Sequence, residues 1–199
     1  MKSNVFFFLL ALGTVLFSSG CAKDSDSCTA ELCVNGFCSD GSCECYPGYS
    51  GSDCSQKLVP ELIRINKIIV TKWPQLKGDE TWDNVTDVEK RRPDPYVRVW
   101  HYENGDAVEL YKSGRKLNPE YNSELTFTPS GGVRIENPTD SYRLSLYDAD
   151  DSGETYEFMG GRTFDPWNVV KEGIAFPDFF EITTVDGDVT FRVEITYEH

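Results

Sequence analysis

Apolar residues recur at every second position in several short stretches of this chain, and polar or turn-forming residues separate the stretches. The clearest stretch is the last one. Its apolar positions are Val189, Phe191, Val193, Ile195 and Tyr197. A period of two residues is typical of a strand that buries one face and exposes the other.

The same period predicts strands at 63–70, 96–102, 108–111, 125–127, 142–147 and 179–183. The alternation slips near Lys67, which predicts a bulge in the first of them. Asn104-Gly105-Asp106 and Asp186-Gly187 predict hairpin turns. No segment has a sustained helical period. These seven strands are short and separated by turns, so we predict that residues 61–199 form an all-β antiparallel sandwich of about eight strands, that is, an eight-stranded sandwich.

The cysteines divide the chain into two modules. All seven lie between Cys21 and Cys54, and residues 55–199 contain none. A segment as short as 28–54 cannot bury a hydrophobic core, so cross-links must hold it. Six cysteines allow many pairings, and a zinc site is the competing interpretation. A secretion signal favours oxidised cysteines.

Residues 1–20 predict a signal peptide, because Lys2 precedes an apolar stretch that is too short to span a bilayer comfortably. The small residues 18–20 followed by Cys21 resemble a bacterial lipobox, which implies that Cys21 is the lipidated first residue of the mature protein. Residues 22–26 resemble the signal that sends lipoproteins to the outer surface. The implied location is the outer membrane, lipid-anchored and surface-exposed. The alternative is a secreted protein with Cys21 unpaired.

A dense acidic stretch follows the predicted strand at 142–147. Its acidic residues are Asp148, Asp150, Asp151, Glu154 and Glu157. Five carboxylates this close repel one another unless a cation lies among them. Hard oxygen ligands in a loop with a glycine suit calcium, although the spacing does not fit an EF-hand. A solvated acidic turn is the alternative interpretation.

Two segments of the cysteine-rich part resemble an EGF-like domain that covers 28–54. They read Val-Asn-Gly-Phe-Cys at 34–38 and Cys-Glu-Cys-Tyr-Pro-Gly-Tyr at 43–49, with Cys54 closing the second. The resemblance implies the disulfides Cys28–Cys38, Cys33–Cys43 and Cys45–Cys54. The acidic motif of calcium-binding EGF-like domains is absent before Cys28. We therefore expect a spacer or protein-contact module that binds no calcium.

Three motifs in the second module resemble the C2 domain, a family of calcium- and lipid-binding β-sandwiches. They are Asp-Pro-Tyr-Val at 94–97, Asn-Pro-Glu-Tyr-Asn at 118–122, and the strand at 144–150 followed by Glu-Phe-Met-Gly at 157–160. The resemblance covers residues 61–199. Because the module opens with what resembles the family's second strand, the resemblance implies the circularly permuted, type II topology.

The C2 resemblance implies a calcium site between two loops at one end of the sandwich. Its implied ligands are Asp83, Asp94, Asp148, Asp150 and Glu157. Glu157 falls one residue later than the family's usual aspartate. Asp79 and Asp87 compete with Asp83 for the ligand from the first loop, and Asp151 is a further possible oxygen donor.

The formal net charge of −14 argues against binding of nucleic acid and favours cations or basic partners. The chain has two histidines and no Gly-x-Ser-x-Gly motif, so we predict that it is not an enzyme. The predicted function is a membrane-anchored surface lipoprotein whose C2-like module mediates calcium-dependent binding of protein, glycan or lipid. The alternative is a calcium-stabilised structural component of the cell envelope with no calcium-dependent partner.

Overall fold

A computed structural model describes residue 28 and residues 32–83, 92–149 and 156–199. The described part begins with a small module that carries four short strands: β1 (Gly36–Ser39), β2 (Ser42–Cys45), β3 (Tyr49–Ser50) and β4 (Gln56–Lys57). Strand β1 pairs with β2, and β3 pairs with β4. Three disulfides join Cys28 to Cys38, Cys33 to Cys43 and Cys45 to Cys54. These are the pairs that the EGF resemblance implies.

The rest of the described chain forms two antiparallel sheets and a short helix. The strands are β5 (Leu62–Lys72), β6 (Pro95–Glu103), β7 (Asp106–Lys112), β8 (Leu125–Phe127), β9 (Val133–Ile135), β10 (Ser141–Ala149), β11 (Tyr156–Phe164), β12 (Phe179–Thr183) and β13 (Thr190–Glu198). One sheet has the order β11-β10-β6-β7, and the other has the order β12-β13-β5-β8, with β9 also paired to β5.

Strands β8 and β9 together occupy one edge position. Strand β8 pairs with the second half of β5, at Ile68–Val70, and β9 pairs with its first half, at Ile63–Ile65. The sandwich therefore has eight strand positions. The predicted fold class, an all-β chain with a disulfide-rich module followed by an eight-stranded antiparallel sandwich, is confirmed. The first and last strands of the sandwich, β5 and β13, also pair with each other.

The core lies between the two sheets and is filled by the alternating apolar positions. Fully buried side chains include Ile63, Ile68, Val97, Val99, Tyr142, Leu146, Phe191 and Val193. The predicted bulge is present, because the register between β5 and β13 shifts where Lys67 lies opposite Glu194 and Ile65 lies opposite Ile195. The Asn104-Gly105 turn is also present, with both residues at positive φ, as hairpin turns of this kind require.

Three elements differ from the sequence prediction. Strand β9 is too short to show a period, and β11 carries a bulge opposite β10 and two glycines, which interrupt its alternation. Helix α1 (Pro166–Val170) has only five residues, so it has no helical period to detect. None of the helices in the part of the chain that the structure describes could span a membrane.

The N-terminal module packs against the end of the sandwich where the chain enters β5. The Lys57 ammonium donates hydrogen bonds to the carbonyls of Val170, Glu172 and Ala175 at 3.1, 2.8 and 2.7 Å. The Tyr49 hydroxyl accepts a hydrogen bond from the Phe176 amide at 3.1 Å, and their rings lie 5.3 Å apart in an edge-to-face contact. These contacts fix the module on the segment that follows α1.

Candidate metal centre

The predicted ligands lie at the end of the sandwich opposite the N-terminal module. Strand β6 begins directly after Asp94, and β10 ends one residue after Asp148. In the sheet, Asp148 lies opposite Pro95 of β6 on one side and opposite Glu157 of β11 on the other. Three acidic residues that are distant in sequence therefore occupy neighbouring positions across three strands.

Asp94 and Asp148 are in direct contact and almost fully buried, at 3% and 0% exposure. The Asp94 amide donates a hydrogen bond of 2.6 Å to Asp148 Oδ1. Asp94 Oδ1 accepts a hydrogen bond of 2.8 Å from the Asn118 amide. Asp94 Oδ2 lies 3.2 Å from Nη1 of Arg115. Burial of a carboxylate is costly unless charges or hydrogen bonds compensate it, and these donors supply part of that compensation.

Glu157 extends this acidic group onto β11. It lies directly opposite Asp148, and like charges in directly opposed cross-strand positions destabilise a sheet. The Lys77 ammonium, from the loop after β5, forms an ion pair with Glu157 Oε1. Glu157 Oε2 is buried and accepts no hydrogen bond within the described residues. One carboxylate oxygen is thus available to a further cation.

Asn118 supplies a second buried acceptor next to Asp94. Its backbone is in the left-handed region, with φ of 42°, and its backbone N–H donates to Asp94 Oδ1. Its side-chain Oδ1 is buried and receives no hydrogen bond in the parts of the chain that the structure covers. Asparagine tolerates this backbone conformation better than most residues. Unsatisfied buried acceptors are uncommon and call for a donor or an ion.

The structure brings together Asp94, Asp148 and Glu157, but not the whole predicted ligand set. Asp83 is buried in the loop between β5 and β6, beside Trp82, whose indole donates to the Pro74 carbonyl at 3.1 Å. In the described ranges, no three carboxylates have oxygens that all lie within 4.8 Å of one another. The predicted ligand Asp150, together with Asp87 and Asp151, lies outside the described residues.

Sequence reasoning missed three residues of this site. Arg115 and Lys77 lie far in sequence from the acids that they pair with, and neither belongs to a motif. Asn118 was visible as the first residue of the Asn-Pro-Glu-Tyr-Asn segment, yet only its contact with Asp94 reveals its place. All three residues are recognised only from their contacts in the folded structure.

The donor set fits a hard divalent cation. Carboxylate and amide oxygens are the ligands that calcium prefers. Two buried acceptors, Glu157 Oε2 and Asn118 Oδ1, receive no hydrogen bond from described residues, and Asp94 and Asp148 lie at the same end of the sandwich.

The cysteines offer a second possible metal site, because the sulfur atoms of Cys28, Cys33 and Cys43 lie close together. All three, however, belong to disulfides. The zinc interpretation of the cysteines is therefore wrong for this set, because disulfide sulfur is no thiolate ligand.

Comparison with known proteins gives a likeness at the level of solved structures only. No protein-family model matches the chain, and no curated protein matches it significantly. A structure described as "Structure of a C2 domain" matches with 14% identity and a TM-score of 0.43, over 69% of this chain and 98% of the other.

Two further matches are also C2 domains. BON1-C2B has 13% identity and a TM-score of 0.44, over 75% of this chain and 99% of the other. A C2 domain of plant extended synaptotagmin 1 has 18% identity and a TM-score of 0.38, over 71% of this chain and 97% of the other. The sandwich of this chain is defined by its own strand pairing.

Proposed function

We propose that this protein is a surface-attached lipoprotein whose C2-like sandwich binds calcium at the end loops and engages a partner in a calcium-dependent way. The supporting observation is that Asp94, Asp148 and Glu157 occupy adjacent positions. In addition, Glu157 Oε2 and Oδ1 of Asn118, which contacts Asp94, are buried and receive no hydrogen bond from described residues. Asp94, Asp148, Glu157 and the Asn118 amide oxygen would hold the ion, with Asp83 and Asp150 as further donors. Calcium would add positive charge beside these buried carboxylates.

The proposed role is binding rather than catalysis. His101 is buried, its Nε2 lies 2.9 Å from Asp140 Oδ2, and its ring stacks on Tyr142 at 4.6 Å. These contacts support a packing role for His101. The acidic residues belong to the proposed calcium site, so they supply no acid–base pair for hydrolysis.

The proposed attachment is through a lipidated Cys21 after removal of residues 1–20, which places the protein on the outer membrane, facing outward. The three disulfides support passage through an oxidising compartment. We propose that the module at 28–54 is EGF-like and spaces the sandwich at 61–199 from the membrane. Mass spectrometry of the mature N-terminus tests the lipid, and Cys21→Ser should release the protein from the membrane fraction.

The calcium site is tested by titrating calcium into the purified full chain and following its melting temperature. A ligand that binds only the folded state adds about 2.7 kcal/mol at a hundredfold excess over Kd, which corresponds to a rise of several degrees. Asp148→Asn should abolish the rise, and Glu157→Gln should weaken it. Asp188→Asn, at an exposed turn on another loop, is the matched control and should keep it.

If calcium leaves the melting temperature of the wild type unchanged, the proposed site is refuted. The alternative function, a structural envelope component, shares the calcium site and is favoured by the complete burial of Asp148, since a buried ion can serve stability alone. Pull-downs from cell extracts with and without chelator separate the two functions. Only the binding function predicts a partner that the chelator releases.

A further inference from the structure

The outer face of the sheet β11-β10-β6-β7 carries aromatic and basic side chains in alternation. In β6 and β10 the positions of this face alternate with the core residues Val97, Val99, Leu144 and Leu146. Tyr96 is itself buried, at 3% exposure, beneath the other side chains of the face. We call it the aromatic–basic face. Its members are Tyr96, Arg98, Trp100, Lys112, Arg143, Tyr147, Tyr156 and Phe158.

Arg98 lies at the centre of this face and holds its rings together. Its guanidinium carbon lies 5.5, 5.4, 5.2 and 5.0 Å from the ring centroids of Tyr96, Trp100, Tyr147 and Tyr156. Cation–π contacts at these distances are attractive. The ring of Tyr147 also stacks on Tyr96 at 5.6 Å. The face is therefore a preformed surface, with its side chains fixed before any ligand arrives.

The outer rim of the face is accessible. Tyr156 and Phe158, on the edge strand β11, are 57% and 51% exposed. Arg143 lies over Phe158 at 5.3 Å, and the Lys112 ammonium lies 5.1 Å from the Tyr96 centroid. Adjacent exposed aromatic rings form an apolar surface of the kind that marks an interaction site.

The charge of this face is opposite to that of the chain. Among the described residues of its four strands, the outward-facing charged groups are Arg98, Arg143, Lys112 and one acid, Glu109, which pairs with Arg98 at 3.3 Å. The whole chain carries a formal charge of −14. A locally positive surface on a strongly acidic protein selects a ligand with few, localised negative charges, because a dense polyanion is repelled by the rest of the molecule.

We propose that the aromatic–basic face binds an acidic oligosaccharide, in which neutral sugar rings carry isolated carboxylates. The apolar faces of the sugar rings stack on Phe158, Tyr156 and Trp100, and a carboxylate pairs with Arg143 or Lys112. Three adjacent strands, β11, β10 and β6, span about 10 Å, which is comparable with the length of a disaccharide. A guanidinium presents paired donors to a carboxylate. This proposal does not rest on the calcium site.

The test measures binding of defined sugars to the purified full chain by ligand-observed saturation-transfer NMR in EDTA. The probes are 3′-sialyllactose and digalacturonic acid, which carry carboxylates, and lactose is the neutral counterpart. The acidic sugars should bind at least about tenfold more tightly than lactose, since hydrogen bonds to a charged group are the stronger ones. The double variant Tyr156→Ala, Phe158→Ala should lose this binding. The double variant Arg143→Gln, Lys112→Gln should remove the preference for the acidic sugar, because it removes both cations that can pair with the carboxylate.

The opposite sheet offers a matched control. The Arg192 guanidinium lies 3.9 Å from the ring centroid of Phe179, on the outer face of β12 and β13. The variant Phe179→Ala should keep full sugar binding. The absence of binding to both acidic sugars overturns the proposal, as does an equal loss in the Phe179→Ala control. Binding to phosphatidylserine vesicles or to oligo-dT, without binding to sugar, also overturns it and identifies a membrane or a nucleic acid as the occupant.

Discussion

Two cations of the chain lie on the carboxylates where an external cation is proposed to bind. Arg115 pairs with Asp94, and Lys77 pairs with Glu157. A protein ammonium or guanidinium neutralises part of the acidic charge, so these groups stabilise the metal-free fold. The same groups would compete with the proposed calcium ion for the carboxylate oxygens. The proposed affinity is therefore set by the chain's own cations as well as by its ligands.

Replacement of Lys77 by Met should raise calcium affinity by about fivefold, because about 1 kcal/mol of competing ion pair is removed. Without calcium, the variant should melt slightly below the wild type, since Glu157 then lies opposite Asp148 without the Lys77 ammonium. Calorimetric titration of calcium gives the affinity, and thermal melts in EDTA give the stability.

The control for this prediction is Lys67→Met, which removes an ion pair between Lys67 and Glu194 on the other sheet at a similar exposure. It should leave the calcium isotherm unchanged. An affinity in Lys77→Met equal to that of the wild type would show that Lys77 does not compete with the ion.

Because of Tyr142, the free energy of unfolding should depend on pH in the alkaline range. Burial raises the pKa of its hydroxyl from 10.0 to about 12, because the phenolate is poorly solvated there. A raised folded-state pKa means that the contribution to folding is complete below pH 10 and is lost as the pH rises towards 12. The free energy of unfolding should therefore fall over this window, and Tyr142→Phe should flatten the fall.

Urea unfolding curves at several pH values between about 9 and 11.5 measure this dependence. Tyr102→Phe, on the outer side of the same sheet, is the comparison variant, because it removes a tyrosine hydroxyl elsewhere in the sheet. Identical slopes in Tyr142→Phe and wild type would remove Tyr142 from the explanation.

At the scale of elements, the sequence predicted the strands that bury one face and expose the other. Strand β13 alternates over its whole length, and the Asn104-Gly105 turn fixes the hairpin of β6 and β7. Strand β11 was not predicted from the alternation, because Gly160, Gly161 and a register shift interrupt its pattern of apolar and polar residues. Its start was still marked by the Glu-Phe-Met-Gly segment of the C2 resemblance.

The candidate site and the aromatic–basic face show different limits of sequence reasoning. The acids Asp94, Asp148 and Glu157 could be named because each belongs to a motif. Arg115 and Lys77 could not, because ion pairs between distant loops leave no local pattern. The face is assembled from alternate residues of four strands, so its cations and rings are never consecutive in the chain.

Helix α1 and the segment after it depend on Lys57 from the N-terminal module. A five-residue helix leaves most of its carbonyls without helical partners, and the Lys57 ammonium donates to three carbonyls of this region. Lys57→Met keeps the aliphatic stem but removes the donor. We expect a loss of about 1 kcal/mol after allowance for solvent screening, and faster amide hydrogen exchange at 171–177.

Hydrogen exchange read by mass spectrometry locates this effect, and Lys72→Met provides its control, because the Lys72 ammonium bonds the Gly187 carbonyl in another turn. Exchange at 171–177 that stays as slow in Lys57→Met as in the wild type would assign the order of this segment to Phe176 and Tyr49 instead.

At the scale of the molecule, the N-terminal module and the acidic residues lie at opposite ends of the sandwich. The N-terminal module contacts Val170 and Phe176 at the end where β5 begins, and Asp148 and Glu157 lie at the other end, where β10 ends and β11 begins. Strands β5 and β13 pair along their length, so the first and last strands are neighbours, as a type II topology requires. The pairing of β5 with β13 is observed, whereas the type II topology stays a prediction from the C2 resemblance.

This arrangement determines how the protein would carry mechanical load. With the membrane at one end and a partner at the other, a pulling force would run lengthwise along the eleven residues of β5, about 35 Å. Strand β5 is central, bonded to β13 on one edge and to β8 and β9 on the other. The force would shear both ladders together, so many hydrogen bonds would share it instead of breaking one after another. In the proposed arrangement, the sandwich would therefore resist extension while it holds the proposed partner.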